Sequence, residues 1–211
     1  MTDLVHRERP AEGDPVGLLV LHHGRGADEL DLLPLADVLD PERRLHVVTP
    51  RAPLVLPGSP GYHWYVVPKV GYPDPGSFRA AYVALAHFHF QLWERFGLGA
   101  ERTVLGGFSM GAAMSYALGL GHDRPAPAGI LAFSGFIPTV EGWQPDIRLS
   151  TAGFITHGRN DPIIDIEFGR TAYRILEQAG MSVTYRETDA GHTIDPSTIP
   201  PAVDWLDRVL P

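Results

Sequence analysis

One serine, Ser109, lies between two glycines in the stretch Gly107-Phe108-Ser109-Met110-Gly111. The residues before it suit the end of a buried strand, and the residues after it suit the start of a helix. A serine on such a sharp turn is held in strained backbone geometry, and its neighbours must be small because side chains would collide with the adjacent elements. The free N–H groups of the following helix would also suit a developing negative charge. The pattern therefore predicts a nucleophile at Ser109, although a glycine-lined packing turn also fits it.

A serine nucleophile needs a general base, and three histidines follow Ser109 in the chain: His122, His157 and His192. His122 comes just after the predicted helix, so we expect it on the far side of the sheet from Ser109. His157 ends a predicted strand and is expected to pack beside the site. His192 follows a strand and a glycine in a loop, where an exposed imidazole is expected. We therefore assign the base to His192, with a surface histidine as the alternative.

The base in turn needs a carboxylate that orients it, and the candidates are Asp161, Asp165 and Asp189. Asp161 follows a strand, and Pro162 constrains the backbone directly after it. Asp165 is expected to open the next helix, where a carboxylate is common for capping alone. Asp189 is too close in sequence to His192 to come from another strand. We therefore choose Asp161, which is separated from the serine and the histidine by about one strand and one helix each.

A second group of glycines follows the first long apolar run, in His23-Gly24-Arg25-Gly26. A turn at this place could supply one backbone N–H to an oxyanion, and the residue after the nucleophile could supply another. We therefore predict that the N–H groups of Arg25 and Met110 form an oxyanion hole. The alternative is a phosphate-binding loop, but the Gly-Lys-Ser or Gly-Lys-Thr of such loops is missing.

These candidate residues are spread over a chain in which strands and helices alternate. Short apolar runs typical of strands that are covered on both faces lie at 16–23, 44–50, 102–108, 128–135 and 152–158, and a sixth predicted strand at 182–188 alternates more clearly. Apolar residues recur at helical spacing over 78–96 and 164–179, and two prolines at 200 and 201 open a last helix. The alternation predicts a single α/β domain over 1–211 with a doubly wound sheet, whose ligands bind beyond the carboxyl ends of the strands.

Composition excludes several classes of function. The formal net charge is −8 and no long basic run is present, which argues against nucleic acid and anionic membrane surfaces as partners. The chain has no cysteine, so disulfides, thiolate metal sites and a cysteine nucleophile are excluded. No apolar run is long enough to span a bilayer, and the polar N-terminal stretch shows no signal peptide. We expect a cytoplasmic protein without stable membrane insertion.

Four stretches, HHGRGADELDLLPLA, GGFSMGAAMS, HGRNDPII and AGHTI, occur in this order over nearly the whole chain. Together they resemble the phospholipase/carboxylesterase family of α/β hydrolases, which includes small bacterial carboxylesterases and acyl-protein thioesterases. The resemblance implies a mostly parallel central sheet with helices on both faces and no large lid domain. It also implies a catalytic triad of Ser109, Asp161 and His192, with Arg25 and Met110 as oxyanion donors.

The resemblance further implies a hydrolase that needs no cofactor and no metal, and a possible homodimer. Two positions depart from the family pattern. Met110 stands where many relatives have glutamine, which leaves the backbone donor intact but is expected to change the pocket surface. Ile163-Ile164-Asp165 replaces the commoner Val-Val-Pro, which should matter little.

The substrate is expected to bind near Gly24 and the long aromatic segment 56–78. In that segment Tyr62, Trp64 and Tyr65 could line an acyl or aryl pocket, or could simply cover the sheet edge. The sequence thus predicts a serine carboxylesterase that hydrolyses short- to medium-chain acyl or aryl esters through an acyl-enzyme intermediate.

Three other functions stay open beside the carboxylesterase. An acyl thioesterase or a lysophospholipase would use the same site. A ligand receptor without turnover would share only the fold. A metal site at His87 and His89 is disfavoured, because residues two apart on a helix point to different faces.

Overall fold

Nine strands lie within the part of the chain that the structure describes. The structure, a computed structural model, describes residues 4–211. The first three residues of the polar N-terminal stretch interpreted above lie outside the described residues. In chain order the strands are β1 (His6–Arg9), β2 (Gly17–His22), β3 (Leu45–Pro50), β4 (Leu54–Val55), β5 (Tyr62–His63), β6 (Thr103–Phe108), β7 (Gly129–Phe133), β8 (Ala152–Gly158) and β9 (Val183–Thr188).

Seven of these strands form one sheet in the order β1-β3-β2-β6-β7-β8-β9. All neighbours are parallel except β1, which runs antiparallel to β3 at one edge. The strands β4 and β5 pair only with each other. After the edge strand β1, the chain enters the parallel part at β2, adds β3 on one side, and then adds β6, β7, β8 and β9 in turn on the other side, which is the doubly wound arrangement.

Five α-helices among the described residues cover the sheet. They are α1 (Leu35–Leu39), α2 (Pro75–Phe96), α3 (Met110–Gly119), α4 (Ile166–Gln178) and α5 (Ile199–Val209). One face of the sheet, which carries Leu18 and Val20 of β2, packs against α2 and α3. The opposite face, which carries Leu19 and Leu21, packs against α1 and α5. Alternate residues of β2 thus enter two separate cores, and this explains why the strand is apolar at each position from Leu18 to Leu21.

The six predicted strands and the three predicted helical patterns are all present, with ends that differ by a few residues. Ile164 was expected on the stripe of α4, but that helix begins at Ile166 because Asp165 caps it. The edge strand β1, the short helix α1 and the ribbon of β4 and β5 were not predicted. They are short and polar or irregular, so their sequences carry little periodicity.

The parallel arrangement brings four strand ends to one edge of the sheet. His22 and Gly107 are directly paired near the ends of β2 and β6. Gly158 and Thr188 are paired at the ends of β8 and β9. The loops that follow these four strands, together with the first residue of α3, contain every residue predicted to act in catalysis.

Candidate active site

Ser109 occupies the turn between β6 and α3 in a strained conformation. Its φ is 56° and its ψ is −118°, a combination that residues other than glycine rarely adopt. Its N–H donates to the carbonyl oxygen of Phe133 at 2.9 Å, which ties the turn to the end of β7. The strain lifts the side chain out of the strand so that its Oγ faces the site.

Two glycines allow this turn to lie against the end of β2. A Cβ on Gly111 would lie 1.9 Å from the carbonyl oxygen of His22, so no side chain fits between α3 and β2. A Cβ on Gly24 would lie 3.2 Å from the Phe108 ring and 3.6 Å from Cβ of Ser109. The loop after β2 therefore lies directly beside the serine, as the prediction of an oxyanion hole requires.

His192, in the loop after β9, connects Ser109 to Asp161. Its Nε2 lies 2.9 Å from Oγ of Ser109, and its Nδ1 lies 2.7 Å from Oδ2 of Asp161. The imidazole packs against the Phe108 ring with 4.8 Å between centroids, and its side chain is 18% exposed. Because an ionised carboxylate only accepts hydrogen bonds, Nδ1 carries the proton, and Nε2 is free to accept the hydroxyl proton of the serine.

The carboxylate of Asp161 is fully buried and held at both oxygens. Oδ2 accepts from His192, and Oδ1 accepts from the N–H groups of Ile163 and Ile164, both at 2.9 Å. Burial alone raises the pKa of Asp161, but the hydrogen bonds from His192, Ile164 and Ile163 lower it, and the net pKa lies below its usual value. The acid loop, residues 159–164, therefore presents an ionised carboxylate to the imidazole.

The other candidates for base and acid have separate roles. His157 is buried, and its Nε2–H donates to the carbonyl oxygen of Ile164 at 2.8 Å. This hydrogen bond helps to hold the acid loop in place. Burial lowers the pKa of His157, so this ring is neutral. Asp165 caps α4 by accepting from the N–H of Glu167.

The two remaining candidates lie away from the serine. Asp189 is 86% exposed and pairs with Arg159 at 2.8 Å. His122 lies beyond the end of α3 that is opposite to Ser109.

The oxyanion loop, residues 23–27, is fixed at both of its ends. The Nε2 of His23 accepts from the N–H of Ala52 at 3.0 Å, so its Nδ1 carries the proton and donates to the carbonyl oxygen of Gly24 at 2.7 Å. Two backbone hydrogen bonds with Tyr62 hold the other end. The N–H of Gly26 donates to the carbonyl oxygen of Tyr62 at 2.7 Å, and the N–H of Tyr62 donates to the carbonyl oxygen of Ala27 at 2.8 Å.

Both N–H groups predicted as donors are free. Within the described residues, the N–H groups of Arg25 and Met110 have no intramolecular acceptor. Met110 begins α3, where the first N–H groups of a helix lack partners in the helix itself.

The side chains of Met110, Trp64 and Tyr65 differ from expectation. Met110 is 4% exposed, and its Sδ accepts from the N–H of Trp64 at 3.3 Å, so its thioether lies in the core rather than on a pocket surface. Trp64 and Tyr65 are 0% and 1% exposed, and the Nε1–H of Trp64 donates a hydrogen bond to the carbonyl oxygen of His23 at 2.9 Å. The prediction that these two rings line a substrate pocket does not fit this placement, because neither offers surface to a ligand.

Tyr62 borders a groove of about 770 Å³ beside α2, which is lined also by Arg51, Arg79 and His87 and by no member of the predicted triad. Gly24 remains the only predicted substrate contact placed next to Ser109. Within residues 4–211, no group of three or more histidine and acidic side chains is arranged to hold a metal ion.

Sequence reasoning missed a buried acid beneath the oxyanion loop. Glu29 is 1% exposed and accepts from Nε and Nη2 of Arg51, the second at 2.6 Å. The guanidinium of Arg51 also lies 4.6 Å from the centroid of the Tyr62 ring. No local pattern links these residues, because Glu29 and Arg51 come from loops after different strands.

Comparison with known proteins identifies the family. A family model described as Phospholipase/Carboxylesterase matches residues 9–210. The chain belongs to this family. It is similar to acyl-protein thioesterase 1 of Debaryomyces hansenii, with 28% identity over 180 residues that cover 79% of this chain and 77% of that protein.

Two solved esterase structures are similar over almost their whole length. Esterase PE8 has a TM-score of 0.86 and 30% identity, and the match covers 99% of this chain and 100% of that chain. The carboxylesterase of Bacillus cereus has a TM-score of 0.85 and 26% identity, covering 98% and 94%. The predicted α/β-hydrolase fold is thereby confirmed, and the protein is a hydrolase of the carboxylesterase family.

Two expectations about location and partners go beyond this result. Across residues 4–211 no helix is both long and apolar enough to cross a membrane. The cytoplasmic location and the homodimer stay predictions.

Proposed function

We propose that the protein is a serine carboxylesterase acting on short- to medium-chain acyl or aryl esters. The observation that carries the proposal is the continuous hydrogen-bonded chain from Ser109 through His192 to the buried Asp161, at the carboxyl edge of the sheet. The names of the relatives, esterase PE8 and carboxylesterase, support the choice of substrate bond.

Hydrolysis begins when Oγ of Ser109 attacks the ester carbonyl carbon while Nε2 of His192 takes the hydroxyl proton. Asp161 stabilises the resulting imidazolium and keeps its orientation. The carbonyl oxygen becomes an oxyanion and accepts from the N–H groups of Arg25 and Met110.

The tetrahedral intermediate then collapses. The carbon–oxygen bond to the alcohol breaks, the alcohol leaves with the proton from His192, and an acyl-serine remains. A water molecule attacks this acyl-enzyme, gives its proton to His192, and releases the carboxylic acid as Ser109 recovers the proton.

The first test is hydrolysis of p-nitrophenyl esters from acetate to decanoate by the wild type and by Ser109→Ala. We expect turnover by the wild type that falls about 10⁴-fold or more in the variant, with a rate profile that sizes the acyl pocket. Equal rates in both proteins would refute the nucleophile. No turnover with retained binding of the esters would favour a receptor.

A thioesterase is the second candidate, because the chain is similar to a protein named acyl-protein thioesterase 1. The same site attacks either carbonyl, so the test compares an oxygen ester and a thioester with the same acyl group. A kcat/KM more than about tenfold higher for the thioester would move the assignment to that activity. A lysophospholipid added to the same panel tests the lysophospholipase alternative.

A further inference from the structure

Four polar side chains form a buried line of hydrogen bonds that the proposed mechanism does not use. We call them the buried chain: Arg124, His89, His22 and Ser115. Their residues are 5%, 0%, 0% and 0% exposed, respectively. They come from the loop after α3, from α2, from the end of β2 and from α3, so the line crosses one layer of the protein and stops beside the serine turn.

The direction of every hydrogen bond in the buried chain follows from its first member. A guanidinium only donates, so Nη2 of Arg124 donates to Nδ1 of His89 at 2.9 Å. His89 must then carry its proton on Nε2, which lies 3.3 Å from Nε2 of His22. His22 accepts there and therefore carries its own proton on Nδ1, which donates to Oγ of Ser115 at 2.8 Å.

The last bonds of the buried chain join the elements on both sides of Ser109. Oγ of Ser115 lies 2.8 Å from the carbonyl oxygen of Gly106 in β6 and 3.1 Å from that of Gly111 in α3. His22 is paired with Gly107 in the sheet and is followed directly by the oxyanion loop. The buried chain therefore joins the end of β2, which leads to Arg25, with β6 and α3, which lead to and carry Met110.

The buried chain holds a cation without a carboxylate partner. Within the described residues Arg124 makes no ion pair with an acid, and its Nε and Nη1 have no hydrogen-bond partner. Its guanidinium lies 5.6 Å from the centroid of the Trp93 ring and 6.0 Å from that of Phe90, a cation–π arrangement. Burial of a charge in this way is expensive, so the arrangement is poorly explained by stability alone.

Burial keeps both imidazoles neutral, and the nearby cation acts in the same direction. Burial lowers the pKa of His22 to about 3, and the charge of Arg124 acts in the same direction. Burial and then Arg124 lower the pKa of His89 well below its usual value. Burial lowers the pKa of Arg124 to about 10, so it is still charged at neutral pH. Each imidazole therefore keeps one proton, and the line has a single hydrogen-bond order.

We propose that the buried chain is a positioning device for the oxyanion site, which holds the ends of β2, β6 and α3 at fixed distances. It rests on the proposed function, because the N–H groups of Arg25 and Met110 matter as a pair only if an oxyanion forms between them. The residues of the buried chain do not touch the substrate. They act through the backbone that carries the donors.

The kinetic test compares His89→Leu with His89→Gln. Leucine removes both hydrogen bonds, whereas a glutamine side chain can accept from Arg124 with its oxygen and donate to His22 with its amide. We expect kcat for a p-nitrophenyl ester to fall about 10-fold to 100-fold in His89→Leu, with KM within about twofold, and to recover largely in His89→Gln.

His46 provides the matched control. It is a buried histidine that bonds to Glu8 at 2.8 Å and pairs with Leu18, at the opposite end of β2 from His22. We expect His46→Leu to lower Tm while leaving kcat unchanged. The proposal is overturned if His89→Leu keeps the wild-type kcat, if the change falls on KM alone, or if both leucine variants lose kcat equally.

A second measurement is independent of turnover. Hydrogen exchange is followed at residues 22–27 and 106–115, and the imidazole ¹⁵N shifts of His22 and His89 are recorded from about pH 5 to about pH 8. We expect neutral, non-titrating rings in the stated tautomers, and faster exchange of both segments in His89→Leu but not in His46→Leu. Unchanged exchange, or titrating rings, overturns the positioning device even if the esterase assay succeeds. A failed esterase assay with the expected exchange and shifts overturns the proposed function and the link to an oxyanion, while the role of the buried chain in holding the two segments stands.

Discussion

Replacement of Asp161 by asparagine separates the orientation of His192 from the folding of the acid loop. The amide oxygen of asparagine can still accept from the N–H groups of Ile163 and Ile164, which Oδ1 binds at 2.9 Å in the native protein. The amide nitrogen then takes the place of Oδ2, 2.7 Å from Nδ1 of His192. Because that nitrogen donates, the imidazole must accept at Nδ1 and carry its proton on Nε2, where it can no longer accept the proton of Ser109.

The magnitude follows from this wrong tautomer. We expect kcat to fall about 10⁴-fold, a loss of about 5 kcal/mol of transition-state stabilisation. The free energy of unfolding should fall by no more than about 2 kcal/mol, because the backbone hydrogen bonds of the acid loop are retained. Steady-state hydrolysis of a p-nitrophenyl ester and urea unfolding of the same preparation measure the two quantities.

Two aspartates that were the other candidates for the acid serve as matched controls. Asparagine at Asp165 keeps the cap of α4, because asparagine is also a good N-cap residue. Asparagine at Asp189 removes only an exposed ion pair with Arg159. Both variants should keep kcat within about twofold. The assignment of the acid is refuted if Asp161→Asn keeps more than about a tenth of the activity, or if a control variant loses as much.

Three further predictions concern the support of the site and of the sheet edge. Helix propensity alone predicts that Gly111→Ala stabilises α3 by about 1 kcal/mol, whereas the predicted clash with His22 should destabilise the protein by about 3 kcal/mol or more, so the sign of the change in a urea titration decides between them. Glu29→Gln should cost about 2 kcal/mol of unfolding free energy and lower kcat, because Arg51 loses its bidentate partner beneath the oxyanion loop; an unchanged kcat at lowered stability would mean that the pair only supports the fold. Hydrogen bonds from Arg170 and from other side chains lower the pKa of Glu187 to about 2. The ionised carboxylate therefore stabilises the folded protein fully above pH 4.5, the usual pKa of a glutamate, and this contribution is lost as the pH falls towards 2. Glu187→Gln should therefore be less stable than the wild type by about 1–2 kcal/mol at pH 7, a value reduced because the arginines are partly exposed, and the two urea midpoints should converge as the pH falls to about 2.

The strands and the three groups of the proposed triad could be predicted because their signals are local. An apolar run such as 152–158 reports burial on two faces without reference to the rest of the chain. Asp161 could be chosen over Asp165 because a carboxylate directly before a helix has a capping role that needs no partner elsewhere, and the structure gives Asp165 that role. The parallel order of the strands then brings separate loops to one edge.

The aromatic segment was harder to interpret for a physical reason. Trp64 and Tyr65 lie in a stretch that is rich in proline and glycine, and such loops usually run over the surface. Here the segment folds inward, because Trp64 fills the space beneath the oxyanion loop and bonds to both His23 and Met110. The sequence shows that large rings are present, but only tertiary contacts decide whether a ring faces a ligand or the core.

Tertiary contacts also decide the role of a histidine whose hydrogen-bond partners lie far away in the sequence. His87 and His89 point to different faces of a helix, and this spacing disfavours a metal site. It gives no role to His89, whose partners lie 67 residues before it, at His22, and 35 residues after it, at Arg124. A buried imidazole can join two such partners because one ring nitrogen accepts while the other donates, so it transmits a direction along a hydrogen-bonded line. A neutral histidine in an apolar helix can therefore take part in the function of a site that it never touches, and a comparison of leucine with glutamine at that position distinguishes this role from packing.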